Sequence, residues 1–179
     1  MKEGEEKPTV DGSLFEALYV RAVVPEGTFL EALHHAGFDP SRLEARYPVD
    51  LWPRCLEIAR RHLHPDLPRE LGMRTLGTLF IKGYYATTIG RVNVAAMPLL
   101  GLERTLERVP RVLQLYVPAL EAKLEQDGPG RWRLELAGPG MDPDFCAGMI
   151  EAGAEPFEVP FAAEVIDRRP ERCVLLLRA

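Results

Sequence analysis

The chain has 179 residues, of which 46% are hydrophobic and 27% are charged, values that are typical of one globular domain. Its formal net charge of -5 offers no overall positive field to nucleic acid or to an anionic membrane. No apolar run reaches the ~18 residues that a membrane-spanning helix requires. These properties argue against nucleic-acid binding and against a membrane span.

The first twelve residues, MKEGEEKPTVDG, are charged and lack the apolar core of a signal peptide. They predict a disordered tail (residues 1–12) ahead of a single α+β domain over residues 13–179. Three cysteines, Cys55, Cys146 and Cys173, stand far apart in apolar stretches, which is typical of free thiols buried in a reducing compartment. We therefore expect a cytoplasmic protein.

The first half of the domain is predicted to be mainly helical. Residues 14–24 mix β-branched and aromatic side chains and fit a strand or a short helix, of which the strand is favoured. Gly37 followed by Phe38 has the form of a helix end. A stripe of apolar side chains at helical spacing runs from Trp52 to Leu63. The predicted helices cover residues 26–36, 39–45, 51–63, 68–87, 92–99 and 102–108.

Alternation of apolar and charged residues then predicts two β-hairpins. The first joins residues 120–125 and 131–136 through the turn QDGPG, and the second joins residues 157–165 and 173–177 through DRRPE. Between them, Asp142 followed by Pro143 predicts the capped start of a helix that ends at Gly153. This order predicts an α+β fold, with an N-terminal helical layer packed on a four-stranded antiparallel sheet made of two hairpins.

Catalytic and metal-binding patterns are missing from the sequence. The four histidines at positions 34, 35, 62 and 64 have no HExxH spacing and no cysteine close enough in sequence for a zinc site. No GxSxG motif and no phosphate-binding glycine loop occurs. The sequence therefore predicts neither catalytic residues nor a metal site, and favours a protein that is not an enzyme.

Residues 83–91, GYYATTIGR, join two predicted helices and combine aromatic rings, hydroxyl groups, glycines and an arginine. Gly72, Gly77 and Gly83 each cost the helix about 1 kcal/mol relative to alanine, and indicate close approach to another helix or to a ligand. One interpretation is a polar rim around an apolar pocket. The alternative is structural: the glycines ease helix packing, and the arginines pair with Glu103 and Glu107 or lay their apolar stems along the surface.

On the first interpretation, seven residues form a ligand site. Four aromatic residues line the cavity, Thr88 belongs to its rim, and Arg91 and Arg104 hold the polar end of the ligand. Arg108 and Arg111 follow in the same stretch without an assigned role. The four aromatic residues are Phe80, Tyr84, Tyr85 and Tyr116.

Several short segments, each weak alone, are informative in their order and spacing. They are AGFD at 36–39 with YP at 47–48, LG at 76–77, TIGR at 88–91, LGLER at 100–104 and CAGMIEAGA at 146–154. Together, over about residues 14–178, they resemble an uncharacterised, multi-paralogue protein family found largely in myxobacteria, a domain of unknown function.

That family is distantly similar to the ligand-binding fold of haem-NO sensor domains, vinyl-reductase-type small-molecule-binding domains and transport-complex subunits. The resemblance implies a helical layer over a four-stranded antiparallel sheet, with an apolar cavity between them. The chain lacks the YxSxR motif with which the haem sensors hold haem propionates, and it lacks an evident proximal histidine. Haem is therefore not favoured as a cofactor.

The leading hypothesis is a non-enzymatic binding or signalling module that holds a small hydrophobic or amphipathic ligand between helices and sheet. The alternative is a protein-interaction subunit that forms a homodimer or binds another protein through helical faces. The apolar stripe from Trp52 to Leu63 motivates this alternative, because a stripe of this length can exceed what one sheet covers.

Overall fold

The computed structural model describes residues 7–179. The helices are α1 Ser13–Glu16, which continues as a π-helix over Ala17–Ala22, α2 Gly27–Ala36, α3 Leu51–Leu63, α4 Arg69–Ala86, α5 Thr88–Leu100, α6 Leu102–Leu106, α7 Val109–Tyr116 and α8 Pro143–Ala154. The strands are β1 Thr9–Asp11, β2 Arg46–Pro48, β3 Glu121–Gly128, β4 Arg131–Ala137, β5 Ala162–Arg169 and β6 Arg172–Arg178.

The larger sheet has four antiparallel strands in the order β3-β4-β6-β5, so that each hairpin contributes two neighbouring strands. Leu134 of β4 lies opposite both Leu124 of β3 and Leu175 of β6. The predicted α+β class, with helices packed on a sheet of two hairpins, is confirmed. The apolar run at 173–177 is buried along its whole length, as expected for a central strand with both faces covered.

Helices α1 to α4 enclose an aromatic core. The ring of Phe15 is fully buried, with its centroid 4.7 Å from that of Phe38 and 4.4 Å from that of Tyr47. Trp52 packs edge-on against Phe15 at 5.0 Å. Burial of each such ring contributes about 1.5–3 kcal/mol. The stripe that begins at Trp52 packs into this core, where its residues from Trp52 to Ala59 are buried and Leu63 is partly buried.

Helices α4 and α8 pack directly against each other, and glycines lie at their contact. A Cβ atom on Gly77 would lie against the Phe145 carbonyl and 2.6 Å from the Met149 nitrogen. A Cβ on Gly148 would likewise meet the backbone of Arg74, with 2.7 Å to its carbonyl carbon. Of the two explanations for the glycines of α4, close approach to another helix is therefore correct at Gly77.

Two ion pairs fix α8 to its neighbours. Glu151 accepts hydrogen bonds from Arg74 of α4 at 2.8 and 3.0 Å, and from the backbone nitrogen of Ala163 in β5 at 2.8 Å. Asp144 is buried in the first turn of α8. Its carboxylate accepts one hydrogen bond from each terminal nitrogen of Arg168, at 2.5 and 2.7 Å. Bidentate pairs of this kind set orientation as well as contributing energy.

Four sequence predictions differ from the structure. The first strand of the second hairpin is β5 at Ala162–Arg169 instead of residues 157–165, because Glu155–Phe157 forms a short 3-10 helix and β5 continues into the predicted turn. Residues 14–24 form α1 and the π-helix instead of a strand, because Leu14, Phe15 and Leu18 turn one helical face into the aromatic core. Residues 39–45 form turns instead of a helix, since the Asp39 carboxylate accepts from the backbone and hydroxyl of Ser41 and closes a tight turn.

The predicted tail also differs. Residues 1–6 lie outside the described residues, but Thr9–Asp11 forms β1 and pairs with β2, and Val10 is fully buried. By contrast, the helix end at Gly37 and the cap at Asp142 are confirmed. Gly37 has a φ of +95°, and Asp142 accepts from the backbone nitrogens of Asp144 and Phe145 at 3.0 Å.

Candidate functional site

An apolar cavity of about 330 Å³ lies between α4 and α8 on one side and helices α5, α6 and α7 on the other. We call residues 88–116, which contain α5 to α7, the outer layer. The end of the sheet closes the cavity at Leu120 and at residues 139–142. The main lining side chains are Phe80, Ile81, Tyr84 and Tyr85 of α4, Ala96, Met97 and Leu100 of α5, Val109, Leu113 and Tyr116 of α7, and Cys146, Met149 and Ile150 of α8.

Helical spacing explains why the outer layer covers a cavity. On α5, Asn93, Ala96, Met97 and Leu100 follow the i, i+3, i+4, i+7 pattern of one face and all line the cavity. On α7, Val109, Val112, Leu113 and Tyr116 repeat the same pattern. Each helix therefore turns one mostly apolar face towards α4 and α8.

The outer layer is loosely packed on that face. Among its helices only Gly90 and Leu106 are fully buried, and α7 contains no buried residue. Its apolar faces approach α4 and α8 without filling the space between. The gap beneath the layer is the cavity.

Three lining residues, Asn93, Arg108 and Val112, are also exposed to solvent, and together they define the mouth of the cavity. Asn93 donates a hydrogen bond of 2.5 Å from its side-chain nitrogen to the Tyr84 hydroxyl. Val112 lies one helical turn after Arg108, so both side chains share one edge of α7. The mouth therefore combines one amide, one guanidinium and one apolar side chain.

Tyr85 and Tyr116 inside the cavity are neutral phenols. Burial raises the pKa of Tyr85 to about 12, and its hydroxyl donates to the Gly153 carbonyl at 3.2 Å. Burial also raises the pKa of Tyr116, and the neighbouring Tyr84 raises it further. At neutral pH these groups supply hydroxyl dipoles and no negative charge.

The structure brings four of the seven predicted site residues together. Phe80, Tyr84, Tyr85 and Tyr116 all line the cavity, and the rings of Tyr84 and Tyr116 meet edge-on at 6.3 Å.

Thr88, Arg91 and Arg104 do not line the cavity and are exposed. Arg91 is on the side of α5 opposite the lining face, since it is two residues, or about 200°, before Asn93. On α6, the lining positions are Leu102, Thr105 and Leu106, and Arg104 points away from them.

The residues that sequence reasoning missed are at the mouth. The sequence pattern assigns no role to Arg108, and it does not single out Asn93. The signal that would have found Asn93 is the apolar spacing of 96, 97 and 100, which extends back to position 93 on the same face. For Arg108, no local pattern separates it from the neighbouring arginines.

Arginines are paired differently in the two parts of the chain. Every arginine of α3, α4 and the four-stranded sheet lies within 3.5 Å of a carboxylate oxygen. Within residues 7–179, none of Arg91, Arg104, Arg108 and Arg111 forms such a pair. Glu103, an expected partner, instead accepts from the Gln126 side chain at 3.1 Å. The outer layer therefore carries uncompensated positive charge.

Comparison with solved structures identifies the fold. A Tt H-NOX variant superposes with a TM-score of 0.69 at 16% identity, covering 94% of each chain. An H-NOX protein from S. oneidensis in the Fe(II)NO ligation state gives a TM-score of 0.64 at 13% identity, covering 94% of this chain and 98% of that one. An oxygen-binding H-NOX domain related to soluble guanylate cyclases gives a TM-score of 0.62 at 16% identity, covering 93% of this chain and 89% of that one. The chain has an H-NOX-like α+β fold.

The family model of DUF2378, a protein family of unknown function, matches residues 9–178, and the chain belongs to that family. No curated protein matches the sequence. Among residues 7–179, none of the helices has the length and apolar character needed to cross a membrane.

Haem is the group that this fold implies, because a similar structure was solved to probe haem distortion in the H-NOX family. The residues of this cavity do not fit a haem iron. Protein ligands of haem iron are histidine, thiolate, tyrosinate, or methionine beside histidine. The histidines of this chain lie in or next to α2 and α3, and none lines the cavity. The Tyr84 hydroxyl accepts from the Asn93 amide, the Tyr85 hydroxyl donates to the Gly153 carbonyl, and Cys146 is buried in the core together with Cys173, so these groups are already engaged within the protein.

Proposed function

We propose that the protein is a non-enzymatic small-molecule-binding module, whose ligand is apolar or amphipathic and occupies the cavity beneath the outer layer. The observation that carries this proposal is the cavity itself. Its volume of about 330 Å³ falls in the range of small-ligand sites, and its walls are chiefly aliphatic and aromatic. At about 30 Å³ for a water-sized atom, it has room for roughly eleven non-hydrogen atoms.

The outer layer supplies a route from binding to signalling. Few of its side chains are buried, so a ligand would add contacts between α5, α7 and the α4–α8 pair that the empty protein lacks. A ligand that binds only the arrangement in which these contacts form stabilises that arrangement by mass action. Binding would thereby order the layer and change the surface that it presents.

The test is to fill the cavity by mutation. Ala96 lines the cavity, whereas its neighbour Ala95 is exposed on another face of α5. We expect Ala96→Phe to remove ligand binding while the melting temperature is unchanged or raised, because the ring replaces the ligand. Ala95→Phe is the matched control and should bind as the wild type does. Binding would be measured through the fluorescence of Trp52, which lines the cavity, and by native mass spectrometry.

Unaltered binding by Ala96→Phe would place the ligand elsewhere and contradict the proposal. The same holds if neither native mass spectrometry nor a thermal-shift screen of apolar and amphipathic compounds detects a ligand for the wild type.

A second candidate function is partner binding through the outer layer. Ile89 and Val92 are each 66% exposed and Leu99 is 89% exposed, an unusual density of apolar surface on one helix. Sedimentation velocity would test it: self-association that is abolished by Ile89→Glu supports a homodimer, and a monomer at all concentrations opposes one.

A further inference from the structure

We infer that the ligand is an amphipath with an anionic headgroup, which Arg108 holds at the mouth while the apolar body fills the cavity. This inference rests on the proposed function and names its ligand class. It also revises the expected residue, because Arg91 and Arg104 lie away from the cavity whereas Arg108 borders it.

Arg108 immediately precedes the first turn of α7. It is exposed and yet belongs to the cavity lining, so its guanidinium is placed where water and the apolar interior meet. The long aliphatic stem of arginine suits such a boundary, since it packs on apolar surface while the head stays hydrated. A headgroup at the mouth would be within its reach without being buried.

The charge on Arg108 is available to a ligand. Within residues 7–179 it has no carboxylate partner, in contrast to every arginine of α3, α4 and the four-stranded sheet. Asp142 is the one carboxylate among the lining residues described. Its oxygens are already engaged, one by the backbone nitrogens of Asp144 and Phe145 and the other by Arg69 at 2.7 Å.

The interior of the cavity excludes a charged group. Its walls offer phenol hydroxyls and thioethers but no free cation, and an unpaired charge buried there would be strongly unfavourable. An anionic amphipath is therefore oriented, with its charge at Arg108 and its apolar body inward. Guanidinium binds carboxylate and phosphate alike through paired N–H groups, so both headgroups belong to the inferred class.

The experiment compares ligands that share a twelve-carbon chain, matched to the cavity volume: dodecanoate, dodecyl phosphate and the neutral 1-dodecanol. Affinities would be measured below the micellar concentration by Trp52 fluorescence and calorimetry. We expect wild type to bind both anions about tenfold more tightly than the alcohol. Arg108→Gln should reduce the anions to the affinity of the alcohol. Arg104→Gln, which removes an exposed charge away from the cavity, should keep the preference.

Several outcomes would overturn the inference. One is equal binding of dodecanol and dodecanoate by wild type, which leaves the proposed function intact. Another is an equal loss of anion preference in the Arg104 and Arg108 variants, which would indicate a general charge effect. Inorganic phosphate that competes as well as dodecyl phosphate would show an anion site without a cavity. If no twelve-carbon compound binds wild type, both the inference and the proposed function fail.

Discussion

The α4–α8 contact and the outer layer are built from the same material, amphipathic helices with small residues, but they pack in opposite ways. At the α4–α8 contact, Gly77 and Gly148 bring the two backbones together, and the ion pair between Arg74 and Glu151 fixes their orientation. Above them, α5 and α7 touch α4 only at points such as Asn93 on Tyr84 and the ring of Tyr116 on Tyr84, and a cavity remains between these contacts.

The difference shows that an apolar helical face can pack in two ways. Where glycines allow backbone approach, the face becomes close-packed core. Where Ala96, Met97 and Leu113 stand opposite Tyr84 and Met149 with no such glycine pair between them, the same spacing leaves a cavity. Both regions lie on one face of α4, since Gly77, Phe80, Ile81 and Tyr84 follow the i, i+3, i+4, i+7 spacing, and they differ in their position along the helix.

The largest expected effect tests the close contact. Gly148→Ala should destabilise the protein by about 3 kcal/mol or more, because the added methyl meets backbone atoms of α4 that cannot rotate away. Gly153→Ala in the same helix is the matched control, since a Cβ there would meet only the Tyr85 hydroxyl at 4.0 Å. We expect that control to be neutral or stabilising by up to about 1 kcal/mol. Urea unfolding of both variants provides the measurement, and equal losses would contradict the close contact.

Truncation of one leucine in the α4 core and of one in the outer layer should reduce stability by different amounts. Leu76 of α4 is fully buried, and Leu76→Ala should cost about 3 kcal/mol. Leu113 of α7 is half-buried against the cavity, and Leu113→Ala should cost only about 1 kcal/mol, because the space beside it is already empty. Comparable losses in chemical denaturation would mean that the outer layer is as tightly packed as the core.

Removal of one arginine should reduce stability by a smaller amount, and the loss should again be larger at the sheet than in the outer layer. Arg168→Ala leaves the buried Asp144 carboxylate without its bidentate partner and should cost about 2 kcal/mol. Arg104→Ala in the outer layer removes a charge that has no carboxylate partner within residues 7–179, and should change stability little. Thermal unfolding at pH 7 would measure both, and a loss in Arg104→Ala as large as that in Arg168→Ala would refute the contrast.

The smallest effect concerns thiol reactivity. Burial raises the pKa of Cys55 and of Cys173 to about 12 and holds Cys146 protonated, so all three should react slowly in the native state. Cys146 lines the cavity, and we expect a small apolar reagent to modify it several-fold faster than the others. Peptide mapping by mass spectrometry would follow the three sites. Modification of Cys55 first would argue against access through the mouth.

Much of the fold could be predicted from local sequence. Gly37, with its positive φ, and Asp142, which caps α8, act through nearby backbone atoms, so the sequence is sufficient to place them. The hairpins were predictable because each alternating strand is joined to the next by a short turn. Residues 14–24 were not, because their β-branched composition is outweighed by tertiary packing of Phe15 and Leu18 in a core assembled from distant helices.

The candidate site was predictable only in part. Four of the site residues could be predicted because they are large aromatic residues in or after a helix that contains several glycines. They are Phe80, Tyr84, Tyr85 and Tyr116. The arginines could not be ranked, because Arg91, Arg104 and Arg108 have similar local surroundings in the sequence. Only the rotation of each helix against α4 and α8 determines which of them borders a cavity.

The sequence by itself determined the α+β class, most element boundaries, the family resemblance and the absence of recognisable catalytic motifs, since these depend on short-range patterns. The tertiary structure decided that Gly77 serves helix contact and that the outer layer covers a space. It also decided that Arg108 stands at the mouth. The physical reason is that a cavity forms between surfaces of several helices, from α4 to α8. The distance between those surfaces depends on the packing of the whole domain and not on any one segment of the sequence.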